Sequence, residues 1–163
     1  MHNHALKSYI CPICLAIKGI ENEQTMIKQA DIVYKDKLVM AFIGSKFIAT
    51  NPGHVIVVPI RHYENIYDLP DSVAAKIFAV ARRLAIILKK VRRAAGINLQ
   101  QNNEPAAGQH AFHYHLHIIP RFENDGYLKN KEARVSAPKE RVKYADPVKR
   151  YLLCQKKKPN GSI

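Results

Sequence analysis

Three histidines alternate with apolar residues in the run His113-Tyr114-His115-Leu116-His117. In an extended strand, successive side chains point to opposite faces, so the three imidazoles would share one face at intervals of about 6.5 Å. A neutral imidazole can act as a nucleophile or a general base near pH 7. Because histidine accounts for only 8 of 163 residues, the cluster indicates chemistry rather than coincidence.

Two kinds of chemistry fit this spacing. In the first, one histidine attacks an electrophile while its neighbours orient it or the leaving group. In the second, the imidazoles bind a catalytic zinc ion, with His113, His115 and His54 as candidate ligands and an activated water in the fourth position. The spacing alone does not separate the two.

Cys11 and Cys14 form a second candidate site. The chain has three cysteines, and an odd number argues against a disulfide framework. A C-x-x-C pair with free thiols is a common half of a metal site. The pair therefore predicts a metal half-site near the N-terminus.

The elements that must position these residues can be read from the apolar pattern. Runs rich in β-branched residues predict antiparallel strands at residues 31–35, 37–43, 54–59 and 97–101, and the histidine run supplies a further strand at 112–119. Apolar residues spaced by three and four from about Asp71 to Ala95 predict one long amphipathic helix, with Gly96 as its C-terminal cap. We expect an α+β fold with an antiparallel sheet of about five strands.

Composition narrows the class of protein. A chain of 163 residues with 47% hydrophobic and 24% charged residues is typical of one globular domain and excludes a disordered or collagen-like protein. The longest apolar runs fall short of the roughly 20 residues that span a bilayer, and the N-terminus has no secretory pattern. We therefore expect no membrane association and a cytoplasmic location.

The charge indicates anionic partners. Lys and Arg number 26 against 13 Asp and Glu, which gives a formal charge of +13. Such a charge attracts nucleotides, nucleic acid or anionic lipid. Basic residues crowd the last turns of the predicted helix and the segment 122–163, which is expected to be irregular in large part. A non-catalytic nucleotide-binding or nucleic-acid-binding module is the alternative function.

Taken together, the motifs resemble the histidine triad (HIT) superfamily of nucleotide hydrolases and transferases. The resemblance rests on HYHLHII at 113–119, AAGQ at 106–109, PGHVIVVPIRH at 52–62 and CPIC at 11–14. It implies a HIT domain with a zinc-binding arm at residues 1–121, a basic C-terminal extension at 122–163, and a homodimer. It also favours a nucleophilic histidine over a catalytic metal.

The resemblance assigns roles to the histidines. The middle one, His115, would attack the α-phosphorus of a purine nucleotide derivative and form a covalent nucleotidyl-histidine that water hydrolyses. His117 would contact phosphate oxygens and accept the ring N–H of His115 on its backbone carbonyl, and His54 would support both. The implied substrates are nucleoside phosphoramidates or dinucleoside polyphosphates.

The resemblance also implies a set of nucleotide-binding residues. The loop at Gly108 and Gln109 would present backbone N–H groups to the anion. Lys46 stands where a ribose ligand is expected and could reach a distal phosphate, while His110 replaces the usual Ser or Thr and could serve as an acid to the leaving group. The full set is Phe42, Lys46, Asn102, Gly108, Gln109 and His110.

The same resemblance completes the metal site. In HIT proteins with this N-terminal pair, zinc is held by two cysteines and two histidines, which here are Cys11, Cys14, His62 and His113. Cys₂His₂ is a closed tetrahedral set. One structural zinc per chain is therefore expected, with no role in activating water.

Overall fold

The structure is a computed structural model, and it describes residues 3–48, 50–129 and 132–156. Its α-helices are α1 (Pro12–Ile17), α2 (Asp71–Arg92) and α3 (Pro138–Lys156). Its strands are β1 (Ile32–Lys35), β2 (Val39–Ile43), β3 (Lys46–Ile48), β4 (Val55–Pro59), β5 (Gly96–Gln101), β6 (Leu116–Arg121) and β7 (Ala133–Val135).

Five strands form one antiparallel sheet in the order β1-β2-β4-β6-β5. Helix α2 packs against it, and the apolar stripe of the helix, including Ile77, Leu84 and Ile87, is buried against Val57 and Ile118 of the sheet. The predicted α+β class, with about five strands and a long helix, is therefore confirmed. No helix in the described ranges is long and apolar enough to cross a membrane.

The strand formed by the histidine run begins at a later residue than predicted. Strand β6 begins at Leu116, because the backbone N–H of Tyr114 donates to the carbonyl of Tyr63 (2.6 Å) outside the sheet. The alternation nevertheless holds, since Tyr114, Leu116 and Ile118 all lie in the main core. The histidines between them consequently point away from that core.

Helix α2 ends earlier than predicted. The residue after its last turn is Arg93, in the left-handed region with φ 51°, and not Gly96. Gly96 instead opens β5, where it pairs with Arg121. The connection is short because the N–H of Ala95 already donates to the carbonyl of Arg121 at 2.8 Å, so the chain must leave the helix at Arg93.

The C-terminal extension contains more regular structure than expected. Helix α3 spans 19 residues despite an internal Pro147, and β7 pairs with β3 as a second, two-stranded sheet. The helix forms because Ala145, Val148 and Leu152 recur at helical spacing and are buried in the main core. Residues 130–131 and 157–163 of the extension lie outside the described residues.

A buried ion pair ties α3 to the start of β1. Arg141 and Asp31 are 2% and 0% exposed, and Nε of Arg141 donates to Oδ2 of Asp31 at 2.8 Å. The other carboxylate oxygen, Oδ1, has no hydrogen-bond partner among the described residues. Oδ2 also accepts from the backbone N–H of Lys28 at 2.8 Å, and Arg141 is the one cation within ion-pair distance of this carboxylate among the described residues.

We predict that Arg141→Ala lowers the free energy of unfolding by about 3–5 kcal/mol, because it leaves an uncompensated carboxylate in the interior. Urea denaturation followed by circular dichroism measures the change. Arg150→Ala, at an exposed position of the same helix, is the control and should shift stability by less than about 0.5 kcal/mol. Equal stability of the two variants would show that the pair is energetically unimportant.

Candidate active site

A cleft of about 540 Å³ opens beside β4 and β6. Its polar lining includes the imidazoles of His54, His115 and His117. Apolar side chains of the sheet and the N-terminal segment provide much of the remaining surface: Ile13, Ile27, Phe42, Ile56 and Ile119. A pocket that combines an apolar lining with a few convergent polar groups is typical of a small-molecule site.

The cleft histidines form a continuous row. The ring centroids of His115 and His117 are 5.0 Å apart, and those of His117 and His54 are 5.1 Å apart. His117 projects from β6 opposite the core residues Leu116 and Ile118, and His54 immediately precedes β4, the strand paired with β6. Adjacent strands thus place the three rings in one wall.

A backbone carbonyl sets the tautomer of His115. Its Nδ1 lies 2.7 Å from the carbonyl oxygen of His113, and since a carbonyl can only accept, Nδ1 carries the proton and Nε2 keeps its lone pair. The prediction that the carbonyl of His117 fills this role is wrong. His117 lies within the β4 and β5 ladders, whereas His113 precedes β6 and its carbonyl can turn to the neighbouring ring.

Burial keeps the row of imidazoles neutral. Desolvation lowers the pKa of His115, the hydrogen bond to the carbonyl of His113 partly opposes this, and the proximity of His110 lowers it further. Burial, with His115 nearby, lowers the pKa of His54 to about 4, and burial places the pKa of His117 well below its usual value. Neutral imidazole at pH 7 is the form that has a free lone pair for attack.

His54 is packed tightly against the sheet. It is 3% exposed, and its Nδ1 has no hydrogen-bond partner among the described residues. A Cβ built on Gly44 would lie 2.2 Å from Nε2 of His54, so the ring fits only because residue 44 is glycine. The close packing against Gly44 therefore fixes the His54 ring in the cleft wall.

The loop before the histidine run contributes Asn102, Gly108 and His110 to the cleft. The backbone N–H groups of Gly108 and Gln109 do not reach towards it, because they donate to the carbonyls of Pro105 and Glu104 (2.9 and 3.1 Å) within a 3₁₀ turn. The expectation that these two N–H groups face an anion is therefore wrong for this conformation of the loop.

The side chain of Gln109 also has a different place from the one predicted. It is 3% exposed, and its Nε2 donates to the carbonyls of Glu64 (2.6 Å) and Ala111 (3.1 Å). Its Oε1 accepts from the N–H of Glu104 at 2.7 Å. Gln109 thus holds the loop in shape and does not line the cleft.

Two further predicted residues do line the cleft. Phe42 on β2 is 2% exposed and contributes to its apolar surface, and Lys46 on β3 is exposed at its edge. Several lining residues were not predicted from the sequence, including Glu23, Gln24, Tyr127 and Ala133. They lie in segments without a recognisable motif, so no local signal could have identified them.

The four predicted metal ligands meet beside α1. The candidate ligand atoms of Cys11, Cys14, His62 and His113 all lie within 4.8 Å of one another. Nδ1 of His113 is 3.4 Å from Sγ of Cys11 and 3.5 Å from Sγ of Cys14, and Nδ1 of His62 is 3.4 Å from Sγ of Cys14. Tetrahedral zinc with ordinary bond lengths would separate sulfur and nitrogen ligands by about 3.6 Å.

His113 is oriented for such a role. Its Nε2 lies 3.0 Å from the carbonyl of Pro59, which fixes the proton there and leaves Nδ1 as the ligand atom. Burial lowers the pKa of His113 to about 3, so the ring is neutral. Within the described ranges this is the one Cys, His and carboxylate group with metal-binding geometry, and the alternative set of His113, His115 and His54 does not converge.

Some of the basic residues of α2 form contacts with other residues of the chain. Arg92 donates to the carbonyl of Pro52 at 2.8 Å and lies 4.5 Å from the ring centroid of Tyr144, and Lys89 donates to the carbonyl of Ala95 at 2.8 Å. Nucleic-acid binding by this surface stays a prediction.

Comparison with known proteins assigns the family. The HIT domain profile matches residues 26–124, more than half of the chain, and the chain therefore belongs to the HIT domain family. A HIT protein of Bacillus subtilis is 38% identical over 96 residues, which are 58% of this chain and 65% of that protein. An adenylylsulfatase of Arabidopsis thaliana is 32% identical over 148 residues, which are 85% of this chain and 69% of that protein.

The fold agrees with solved structures of the family. A zinc-bound histidine triad protein from Mycobacterium smegmatis superimposes with a TM-score of 0.71 at 25% identity, covering 89% of this chain and 96% of that one. The arrangement of sheet and long helix is thus that of a HIT protein.

We predict that Gly44→Ala displaces the His54 ring and destabilises the protein by about 1–3 kcal/mol, the usual cost of overpacking. Urea denaturation gives the energy, and the imidazole NMR signals of His54 report the displacement. Gly96→Ala is the control, because a Cβ there would meet its nearest atom at an ordinary 3.8 Å. An unshifted His54 spectrum in Gly44→Ala would contradict the steric argument.

Proposed function

We propose that this protein is a nucleotide hydrolase or transferase that acts at the α-phosphorus through His115. The observation that carries the proposal is the hydrogen bond between Nδ1 of His115 and the carbonyl of His113. It leaves Nε2 as the basic nitrogen of a neutral ring in a cleft with two further imidazoles. The family membership supports the same chemistry.

The reaction proceeds in two displacements. Nε2 of His115 attacks the α-phosphorus, a P–N bond forms, and the bond to the leaving group breaks with its electron pair on the departing atom. Water then attacks the same phosphorus, the P–N bond breaks, and the nucleoside monophosphate leaves with His115 restored. His117 lies 5.0 Å from His115 between ring centroids, and we expect it to hydrogen-bond the phosphate oxygens.

The proposed substrates are purine nucleotides with a good leaving group on the α-phosphate: phosphoramidates and dinucleoside polyphosphates. The adenylylsulfatase relative adds adenylyl sulfate, in which sulfate is the leaving group. Lys46 and His110 are both exposed cleft residues, and we expect them to offer cationic or proton-donating groups to the leaving group. Lys46 would contact a distal phosphate and His110 would protonate an amine.

We predict that His115→Ala reduces turnover of adenosine 5′-phosphoramidate by about 10³-fold or more, since it removes the nucleophile. Product release is measured by chromatography with a chelator present throughout, and adenylyl sulfate and diadenosine tetraphosphate are tested in parallel. The control is His4→Ala, because His4 lies outside the cleft lining. Wild-type turnover by the His115 variant would refute the mechanism.

A structural zinc is the second part of the proposal. The sulfur and nitrogen spacing of Cys11, Cys14, His62 and His113 suits a tetrahedral ion, and a zinc-bound relative has the same fold. With four protein ligands the ion would have no open position. It would supply only rigidity, by linking the N-terminal arm to the residue whose carbonyl orients His115.

We predict one zinc per chain in the wild type, and loss of that ion together with a lower Tm in Cys11→Ser. Elemental analysis of the purified protein gives the stoichiometry, and thermal unfolding gives the second readout. Cys154→Ser, at an exposed thiol, is the matched control. Loss of zinc on His115→Ala, and not on Cys11→Ser, would instead establish a catalytic metal.

The assembly of the protein stays a proposal as well. Strands β1 and β5 are the two edges of the five-stranded sheet; α3 packs against β1, whereas β5 pairs with β6 alone among the described strands. An open edge of this kind can continue the sheet into a second copy. We therefore infer a homodimer that joins through β5.

A further inference from the structure

The C-terminal segment contributes to the cleft although it lies beyond the HIT domain match, which ends at residue 124. Tyr127 and Ala133 are both among the cleft-lining residues. Ala133 belongs to β7, which pairs with β3 in the register Lys46 to Val135 and Ile48 to Ala133. Because Lys46 and Ile48 also line the cleft, the two-stranded sheet forms part of its wall.

A second hydrogen-bonded contact closes the end of this small sheet. Both the backbone N–H and the hydroxyl of Ser136 donate to the carbonyl of Ser45, each at 2.8 Å. Ser136 is 2% exposed, and Ser45 lines the cleft. The position of the β3 segment is therefore coupled to the chain that leads into α3.

The N-terminal segment supplies the neighbouring part of the wall through Glu23, Gln24, Met26 and Ile27. We call these residues, together with Ser45, Lys46, Ile48 and Ala133, the outer wall. Its polar side chains could hydrogen-bond the hydroxyls of a nucleotide, and Lys46 could pair with a phosphate. The cleft histidines instead lie on β6 or immediately before β4 and β6. Three separate stretches of chain must be held together to form this wall.

One guanidinium connects these stretches. Arg141 donates from one NH₂ group to the carbonyl of Met26 at 2.9 Å and from the other to the carbonyl of Ser136, while its Nε donates to Asp31. The planar fork of arginine can satisfy three acceptors in fixed directions, and the ammonium group of lysine cannot reproduce that geometry. Met26 of the outer wall and Ser136, which follows β7, thus both accept hydrogen bonds from the buried guanidinium of Arg141.

We infer that Arg141 is a positioning residue of the cleft, and that the C-terminal segment sets nucleotide affinity by holding the outer wall. The inference rests on the proposed function. Because the outer wall, apart from Lys46, would contact parts of the substrate that do not react, its displacement would weaken ground-state and transition-state binding alike. Such a change raises KM and leaves kcat in place.

Two variants test the inference. Arg141→Lys keeps the charge beside Asp31 but loses the fork, and Ala133→Phe fills the wall from β7 without touching the buried ion pair. For each we measure AMP affinity by calorimetry, and KM and kcat for adenosine 5′-phosphoramidate, below the unfolding transition. Both should weaken AMP binding and raise KM by about tenfold, with kcat within about twofold of the wild type.

The controls are Arg150→Ala on the exposed side of α3 and Ala75→Phe at an exposed position of α2, and both should match the wild type. Unchanged AMP affinity in either wall variant, or a fall in kcat as large as the rise in KM, would overturn the inference. AMP binding without any turnover by the wild type would overturn the proposed function alone. Failure of the wild type to bind AMP would overturn both.

Discussion

The alternation of residues 113–118 between core and cleft is the constraint on which the site depends. Tyr114, Leu116 and Ile118 are buried in the main core. Their burial stabilises the conformation of the segment independently of any contact that the histidines make. The imidazoles between them are consequently held by the core and cannot turn inwards without exposing large apolar side chains. A one-residue shift in register would exchange the two sets and remove both the core and the row of cleft histidines.

Local patterns sufficed for much of the fold and for part of the site. Period-two and period-3.6 apolar patterns identified the five strands of the sheet and α2, because burial of one face decides those elements. The C-x-x-C pair and the triad are similarly local. The cluster of Cys11 and Cys14 with His62 and His113 followed from resemblance, and the structure brings these four residues together.

The remaining features depend on contacts between distant parts of the chain. Helix α3 is polar on average and contains Pro147, so its sequence alone resembles an irregular tail. The contact between Arg141 and Asp31, which are 110 residues apart in the sequence, helps to hold the helix against the rest of the domain. The orientation of Gln109 depends on the carbonyl of Glu64, 45 residues away. Neither partner could be recognised from a local window, because both acceptors are defined only by the tertiary fold.

His113 connects the two chemical centres through three different atoms. Its Nδ1 faces the cysteine sulfurs, its Nε2 faces the carbonyl of Pro59, and its own carbonyl faces Nδ1 of His115. Each contact restricts the same residue, so an ion held by the cysteines would reduce the motion of the carbonyl that sets the tautomer of His115. Under the proposed mechanism, a structural metal would thereby support a metal-free reaction, since its contribution would be to preorganise His115 rather than to polarise the substrate.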